Sequence, residues 1–263
     1  MSLVKYWHVA KAEFHHELTH SSNSIVWATI LFVIIFVFLQ IWKTVYGTKD
    51  TIEGFTIAQM IWYLAIAELN TFSNGSHNVE DMEKEIQSGN FSLSLLKPIN
   101  FIAMWMSKLF GYATFVTLFF GAFAVVLAYL FVGPIPFSFA SIPFLLVIFA
   151  GALALNFLFV IIYGLSALWL EQTHALAWIH TKFMFILGGM FMPFEMYPAW
   201  IQPILHKLPF AFAMYGPAKL FVHFSVAEFF RILLGQALWI VALLGIALMV
   251  YKRGVREVSI NGG

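Results

Sequence analysis

The sequence predicts an all-α polytopic membrane protein with six transmembrane helices. Three observations predict it. Apolar residues make up 61% of the chain and charged residues 10%, against roughly 45–50% and 25% in soluble domains. Several stretches run for about 20 residues or more without a charge, the length one bilayer crossing needs. The remaining charges gather in a few short segments between those stretches. The mean hydropathy of +0.86 agrees. A chain of 263 residues then holds roughly six spans and little else, so a separate soluble catalytic domain is excluded. Zero cysteines exclude disulfide scaffolds, thiolate zinc sites and cysteine nucleophiles. A net charge of +1 and a pI near 8.0 argue against nucleic acid as a partner.

Residues 3–20 alternate charge with bulk, as in Lys5, Tyr6, Trp7, Lys11, Glu13, Phe14 and Glu17. This reads as an interfacial amphipathic helix, because a secretory signal passes directly from a basic start to an apolar core. Ser21-Ser22-Asn23-Ser24 breaks it. The first span is expected over 25–46, closing on Trp42, Lys43 and Tyr46 at an interface. After a loop with Lys49, Asp50 and Glu53, span two is expected over 55–76. It holds Gln59, Glu68, Asn70 and Asn74, and so faces protein more than lipid.

The concentrated polar stretch 77–100 must lie outside the bilayer. Leu109 to Leu170 carries no formal charge and has Gly133-Pro134-Ile135-Pro136 near its middle, a hairpin of two spans over 103–132 and 142–170. Span five is expected over 176–192, with Lys182 snorkelling toward the headgroups. Five prolines then break the external region 193–231, and span six covers 232–251. Six spans put both termini on one side. That side carries nine Lys and Arg against five on the other, so both termini are expected to be cytoplasmic.

His16-Glu17-Leu18-Thr19-His20 matches H-E-x-x-H, which sets two imidazoles on one helical face with a carboxylate between them. Zinc chemistry also needs a third ligand and a helix that continues past the motif. Here the motif runs into the serine-rich break and no Asp-Gly pair offers a ligand. The expectation is no metal and no catalytic residue, with an intramembrane metalloprotease built on His16, Glu17 and His20 as an alternative. Glu68 lies deep in span two, where an ionised group is expensive and suggests a pathway or proton site. A carboxyl neutralised by protonation, or bonded to a neighbour such as Asn70, is the other reading, and both stay open. Gln40, Asn156 and Gln236 read as helix-to-helix hydrogen bonds, and Gly151, Gly164, Gly188, Gly189 and Gly245 as close-packing positions.

In the polar loop, Asn78 can cap a helix whose first turns hold Glu80, Asp81 and Glu83, favourable at the positive end of the helix dipole, and Gly89 can end it. Val79, Met82 and Ile86 form an apolar stripe, and with Phe91 they are the expected docking anchors. In the external region Trp200, Ile201, Ile204, Leu205 and Leu208 are expected to share one face of a short helix lying in the outer interface. No Gly-x-x-x-x-Gly-Lys-Ser/Thr phosphate loop occurs, so this chain does not hydrolyse ATP by itself.

These features together resemble the permease subunits of ABC-2-type ATP-binding-cassette exporters, in the branch related to drug-resistance permeases. The residues that carry the resemblance are Glu85-Ile86-Gln87-Ser88-Gly89-Asn90-Phe91 running to Leu95-Leu96-Lys97-Pro98-Ile99. To these are added Gly188-Gly189-Met190-Phe191-Met192-Pro193, Tyr197-Pro198-Ala199-Trp200, Leu208-Pro209-Phe210 and Tyr215-Gly216-Pro217-Ala218. The resemblance implies one transmembrane domain over 1–263 in the inner membrane of a prokaryote. It implies a second permease copy or sister chain, and separate ATPase subunits that hold the ATP and magnesium, with no cofactor on this chain. The N-terminal helix would be an elbow on the inner leaflet. The loop 77–100 would carry a coupling helix with Val79, Met82, Glu85, Ile86, Gly89 and Phe91. The region of Pro193, Pro198, Trp200 and Pro209 would be an external re-entrant segment of half-helices, and Glu68 and Asn70 would be pathway candidates. A secondary transporter is the other competing reading, but it needs several coordinated polar residues at midplane, which Glu68 alone does not supply.

Overall fold

The computed structural model describes residues 3–19, 24–135 and 138–261, and within these regular structure is helical apart from one small hairpin. The amphipathic helix α1 covers Val4–Thr19 and α2 covers Ser24–Tyr46. Strands β1 (Thr51–Ile52) and β2 (Phe55–Thr56) pair antiparallel around Glu53 and Gly54, both at positive φ, as the twist of a two-residue hairpin requires. This hairpin occupies the start of the expected second span, so α3 begins only at Ile57 and ends at Ser73. Gln59, expected inside the bilayer, instead closes a capping box: its backbone N–H donates to the Thr56 hydroxyl oxygen at 3.2 Å while its side-chain carbonyl accepts the Thr56 N–H at 2.9 Å.

Two short helices follow, α4 (Asn78–Gln87) and α5 (Asn90–Leu96), before the long hairpin of α6 (Phe101–Val132) and α7 (Ile142–Leu165). Asn100 caps α6 by accepting the Ala103 N–H at 2.9 Å. Helix α8 runs His174–Leu187. It stops five residues short of the expected end because Gly188 caps it and Pro193 lies just beyond. The external region holds a short turn at Phe194–Met196, α9 (Gln202–Leu205), a wide turn at Ala211–Tyr215 and α10 (Gly216–Val222). The last helix, α11, is longer than expected, from Val226 to Asn261.

Four helical segments are long and apolar enough to cross a membrane: 25–46, 101–132, 139–168 and 226–256. The chain is therefore a multi-pass, all-α membrane protein. At 17 and 14 residues, α3 and α8 span only about 26 and 21 Å, short of a hydrocarbon core of about 30 Å. Eleven residues of α3 are buried, because α2, α6 and α10 enclose it. By contrast α2 and α11 leave whole apolar faces open, with Ile25, Val33, Leu238 and Val241 exposed.

Helix α1 lies along α6. The contact is close because position 111 is glycine: a Cβ there would run into the Ala10 carbonyl. Gly245, expected as a packing position, faces open space. Gly111→Ala should therefore lower the melting temperature of the detergent-purified protein, whereas Gly245→Ala should leave it unchanged or slightly raised, since alanine is the better helix former. Equal effects of the two substitutions would mean that α1 does not depend on that contact.

Candidate functional site

The loop between α3 and α6 is tied to the bundle at three points. Along α4 the stripe Val79, Met82 and Ile86 is buried, two of the three fully. It faces inward onto α7, where Gly164 leaves room for the Met82 side chain that a Cβ would displace. The second tie is polar. One carboxylate oxygen of Glu83 accepts the Thr173 N–H at 2.7 Å, the Thr173 hydroxyl at 2.7 Å and the His174 N–H at 3.1 Å. These are the free amides at the start of α8, where a carboxylate is favoured. Burial alone would raise the Glu83 carboxyl, but those hydrogen bonds and the nearby His174 outweigh it and hold it below the usual carboxylate range. Nearby, the Gln87 amide donates to the Glu171 carbonyl at 2.7 Å.

The third tie is aromatic. Gly89 takes φ +79° and starts α5, which drops Phe91 edge-on against Phe101 of α6 at 4.9 Å and beside Tyr251 of α11. Glu85 turns back to accept the Ser94 hydroxyl at 2.7 Å. The docking anchors expected from the sequence are thus placed differently. Val79, Met82, Ile86 and Phe91 are already desolvated by the permease itself, so they have no apolar surface left to give a partner. The outward face of α4 is polar, with Glu80, Asp81, Lys84 and Gln87. Its ion pairs, Lys84 with Glu80 and Asp81 at 3.8 Å, are exposed and contribute little.

Of the pathway candidates, Asn70 and Glu68 part company. The Asn70 amide donates to the Ala213 carbonyl of the external region, and its carbonyl accepts from Asn156 of α7 at 3.3 Å. Glu68 is 2% exposed, and among the described residues no hydrogen bond or ion pair reaches its carboxyl. Of the readings left open for Glu68, a bond to Asn70 does not form, because Asn70 is committed to Ala213 and Asn156. Gln236 bonds as expected, to the Ile148 and Phe212 carbonyls at 2.9 and 3.0 Å, whereas Gln40 is exposed.

In the external region Pro193 and Pro209 are buried and Pro198 and Trp200 are exposed. The apolar face expected there does not form. The helix shrinks to Gln202–Leu205, leaving Trp200 74% exposed while Leu205 is fully buried. Instead Glu195 accepts from the Tyr215 hydroxyl at 2.7 Å and from Lys219, and Phe194 stacks on Tyr215 at 4.1 Å. At the N-terminus His20 lies outside the described residues. Glu13, His16 and Glu17 bring possible ligand atoms within 4.8 Å of one another, a grouping the H-E-x-x-H pattern does not contain. Helical spacing could have found it, since 13, 16 and 17 share a face.

Residues 27–262 match the model of a family described as ABC-2 family transporter protein. The chain belongs to the ABC-2 transporter family. Comparison with curated proteins gives no match. As an ABC-2-type permease, the chain is a membrane component, in keeping with the absence of a phosphate loop.

The Glu83 contact has a definite pH signature. Its folded-state carboxyl lies below the ordinary value, so its stabilisation is fully present above the ordinary carboxylate pKa and is lost as pH falls through the lower folded value. Glu83→Gln should cost about 1 kcal/mol near neutrality, measured as a fall in thermal stability, and the deficit should shrink in acid. Glu68→Gln should leave stability and membrane insertion unchanged, because a neutral side chain of the same shape fills the site; Glu68→Lys should not insert normally.

Proposed function

We propose that this chain is the membrane-spanning subunit of an ABC exporter in the cytoplasmic membrane of a prokaryote, driven by ATP hydrolysis on separate ATPase subunits. The observation that carries the reading is the family match over residues 27–262. In this reading α2, α3, α6, α7, α8 and α11 are the six spans, both termini are cytoplasmic, and a second permease copy or a sister chain completes the path. The short helices α3 and α8 then cross with help from their flanking segments, within a protein rather than a lipid environment. Helix α1 is the elbow on the inner leaflet, and ATP with its magnesium belongs to the partner.

Helix α4 is the coupling helix, and it presents its polar face to the ATPase. Glu80, Asp81, Lys84 and Gln87 steer and register the contact. The buried stripe on the opposite face passes the motion on to α7, and Glu83 passes it to α8. The division of labour follows from which side of α4 is already desolvated.

The experiment is copurification of the permease with the ABC ATPase subunit co-expressed with it. Glu80→Lys combined with Asp81→Lys should weaken the complex at least tenfold, most at low salt, with the permease still inserted. Met82→Asp should instead lower the stability of the permease itself, because it puts a charge against Gly164. If the charge reversal leaves the complex intact while Met82→Asp removes it from an otherwise stable permease, the assignment of the two faces is wrong.

A further inference from the structure

The region between α8 and α11 gathers its titratable groups around one aromatic pair. Phe194 stacks on Tyr215 at 4.1 Å, and the His206 ring meets both edge-on, 5.1 Å from Phe194 and 5.3 Å from Tyr215. His206 directly follows α9, which Gln202 ties to the preceding segment by donating to the Glu195 and Tyr197 carbonyls at 3.4 and 2.8 Å. Lys219 of α10 reaches the same Tyr215 ring, its Nζ 5.3 Å from the centroid, and bonds the Glu195 carboxylate. His223, which ends α10, meets Phe55 of the β-hairpin edge-on at 4.8 Å. Both imidazoles lie within electrostatic reach of this one lysine.

The charge balance here is tight. Glu195 Oε1 accepts from both Lys219 and the Tyr215 hydroxyl, while Glu228 is paired with Arg231, which donates to it at 2.8 Å. Burial favours the neutral form of His206, the positive charges of Arg231 and Lys219 push the same way, and Glu195 and Glu228 oppose them only in part, so its basicity is lowered. Burial and Lys219 lower His223 likewise, against Glu195. Burial also works against the charge of Glu195, but the bonds from Lys219 and Tyr215 outweigh it and hold the carboxyl below its ordinary value. The His206 Nδ1 is buried and meets no hydrogen-bond partner among the described residues, so a proton added there is a donor with no acceptor in place. Glu195 Oε2 is buried and unused as well, and turning it to His206 disturbs the geometry that holds Lys219 and Tyr215.

We propose that this cluster is a pH-sensitive latch, shut at neutral pH with His206 and His223 uncharged and released in mild acid, when both imidazoles gain a proton beside Lys219. A histidine whose folded value is lowered stabilises the closed form fully above its ordinary value near 6.5, and that contribution is lost as pH falls through the lower folded value. Glu195, held below the ordinary carboxylate value, stays ionised through that window, so the acid response belongs to the histidines. Release reaches the bundle because the same segment is pinned to α3 at both ends, by Tyr63 on the Gly189 carbonyl and by Asn70 on the Ala213 carbonyl. Loosening the stretch between those two points lets the end of α8 and the start of α10 shift against α3. That the latch faces the external side rests on the topology proposed above, whereas its opening is a property of this chain alone and needs no ATPase, so either can fail without the other.

Hydrogen–deuterium exchange tests it on the purified full-length chain in a neutral detergent, at about pH 7.5 and about pH 5.5, with labelling times scaled to the intrinsic exchange rate. Backbone amides over 194–223 should exchange roughly fivefold faster or more in acid, while those of α6 keep their protection. His206→Phe combined with His223→Gln keeps an aromatic ring in place without the titration, and should match the unaltered protein at neutral pH and stay protected in acid. His206→Gln combined with His223→Gln should behave the same way, and serves if the phenyl ring disturbs folding. Glu195→Gln should be released already at neutral pH. Equal protection of the unaltered protein at the two pH values would overturn the proposal. So would acid release that persists in the histidine variants, which would assign the titration to Glu195, or full protection of Glu195→Gln at neutral pH.

Discussion

In a chain surrounded by lipid, backbone groups left open by a break in a helix have no water to turn to, and each one left unmade costs several kcal/mol. That constraint accounts for the polar side chains of this bundle. Trp62 donates to the Gly133 carbonyl at the α6 end, and Tyr63 to the carbonyl of Gly189 just past α8. Tyr197 donates to Ile186 at 2.7 Å and Trp239 to Lys207 at 3.1 Å. Asn70 and Gln236 take the carbonyls of Ala213 and Phe212, where the wide turn opens the helical pattern. All of these donors but Trp62 are aimed at the broken region between residues 186 and 215, so these side chains help non-helical backbone to pack against the bundle.

The sequence made the long helices legible because charge-free length has few other meanings. It also marked α3 as polar, from Gln59, Asn70 and Asn74, but it could not say what those groups bond. Asn70 and Ala213 are 143 positions apart, and nothing local in either segment names the other. Gln59 was open to a closer reading, since Thr56 three residues earlier completes a capping box. Its misplacement came from reading hydropathy before caps. The hairpin at 51–56 was hidden for a similar reason, as Glu53 takes a positive φ that glutamate seldom adopts.

Helix α4 shows a different limit. Its apolar stripe, its acidic first turn and its glycine end were all readable. The stripe has the same periodicity whether it buries against its own bundle or against a separate protein. What decides between the two is the receiving surface, here Gly164 on α7 and the free amides at the start of α8. Residues 164 and 173 lie 82 and 90 positions beyond Met82 and Glu83, within an apolar run and a polar loop that give no sign of α4. The H-E-x-x-H pattern around His16 shows the opposite limit. A motif of fixed letters drew attention to His20, while the face that α1 turns toward α6 is set by Glu13, Phe14 and Glu17.

The three ties on the α4–α5 segment restrict how it can move. The Met82 contact with Gly164 has no slack, since that position has no side chain to rearrange. Phe91 is fixed between Phe101 and Tyr251, rings that stack on each other at 6.3 Å. Only the Glu83 contact can be made and broken without creating a cavity, because it consists of hydrogen bonds at a partly exposed helix end. A displacement of α4 small enough to keep Met82 and Phe91 packed must therefore carry α7 and the α5 anchor with it as one body. A larger one must first release α8, by surrendering the bonds that hold Thr173 and His174. The packed contacts to α7 and α5 therefore outlast the polar one to α8, and the strength of one charge-assisted cap determines how far α4 can shift with α8 still attached.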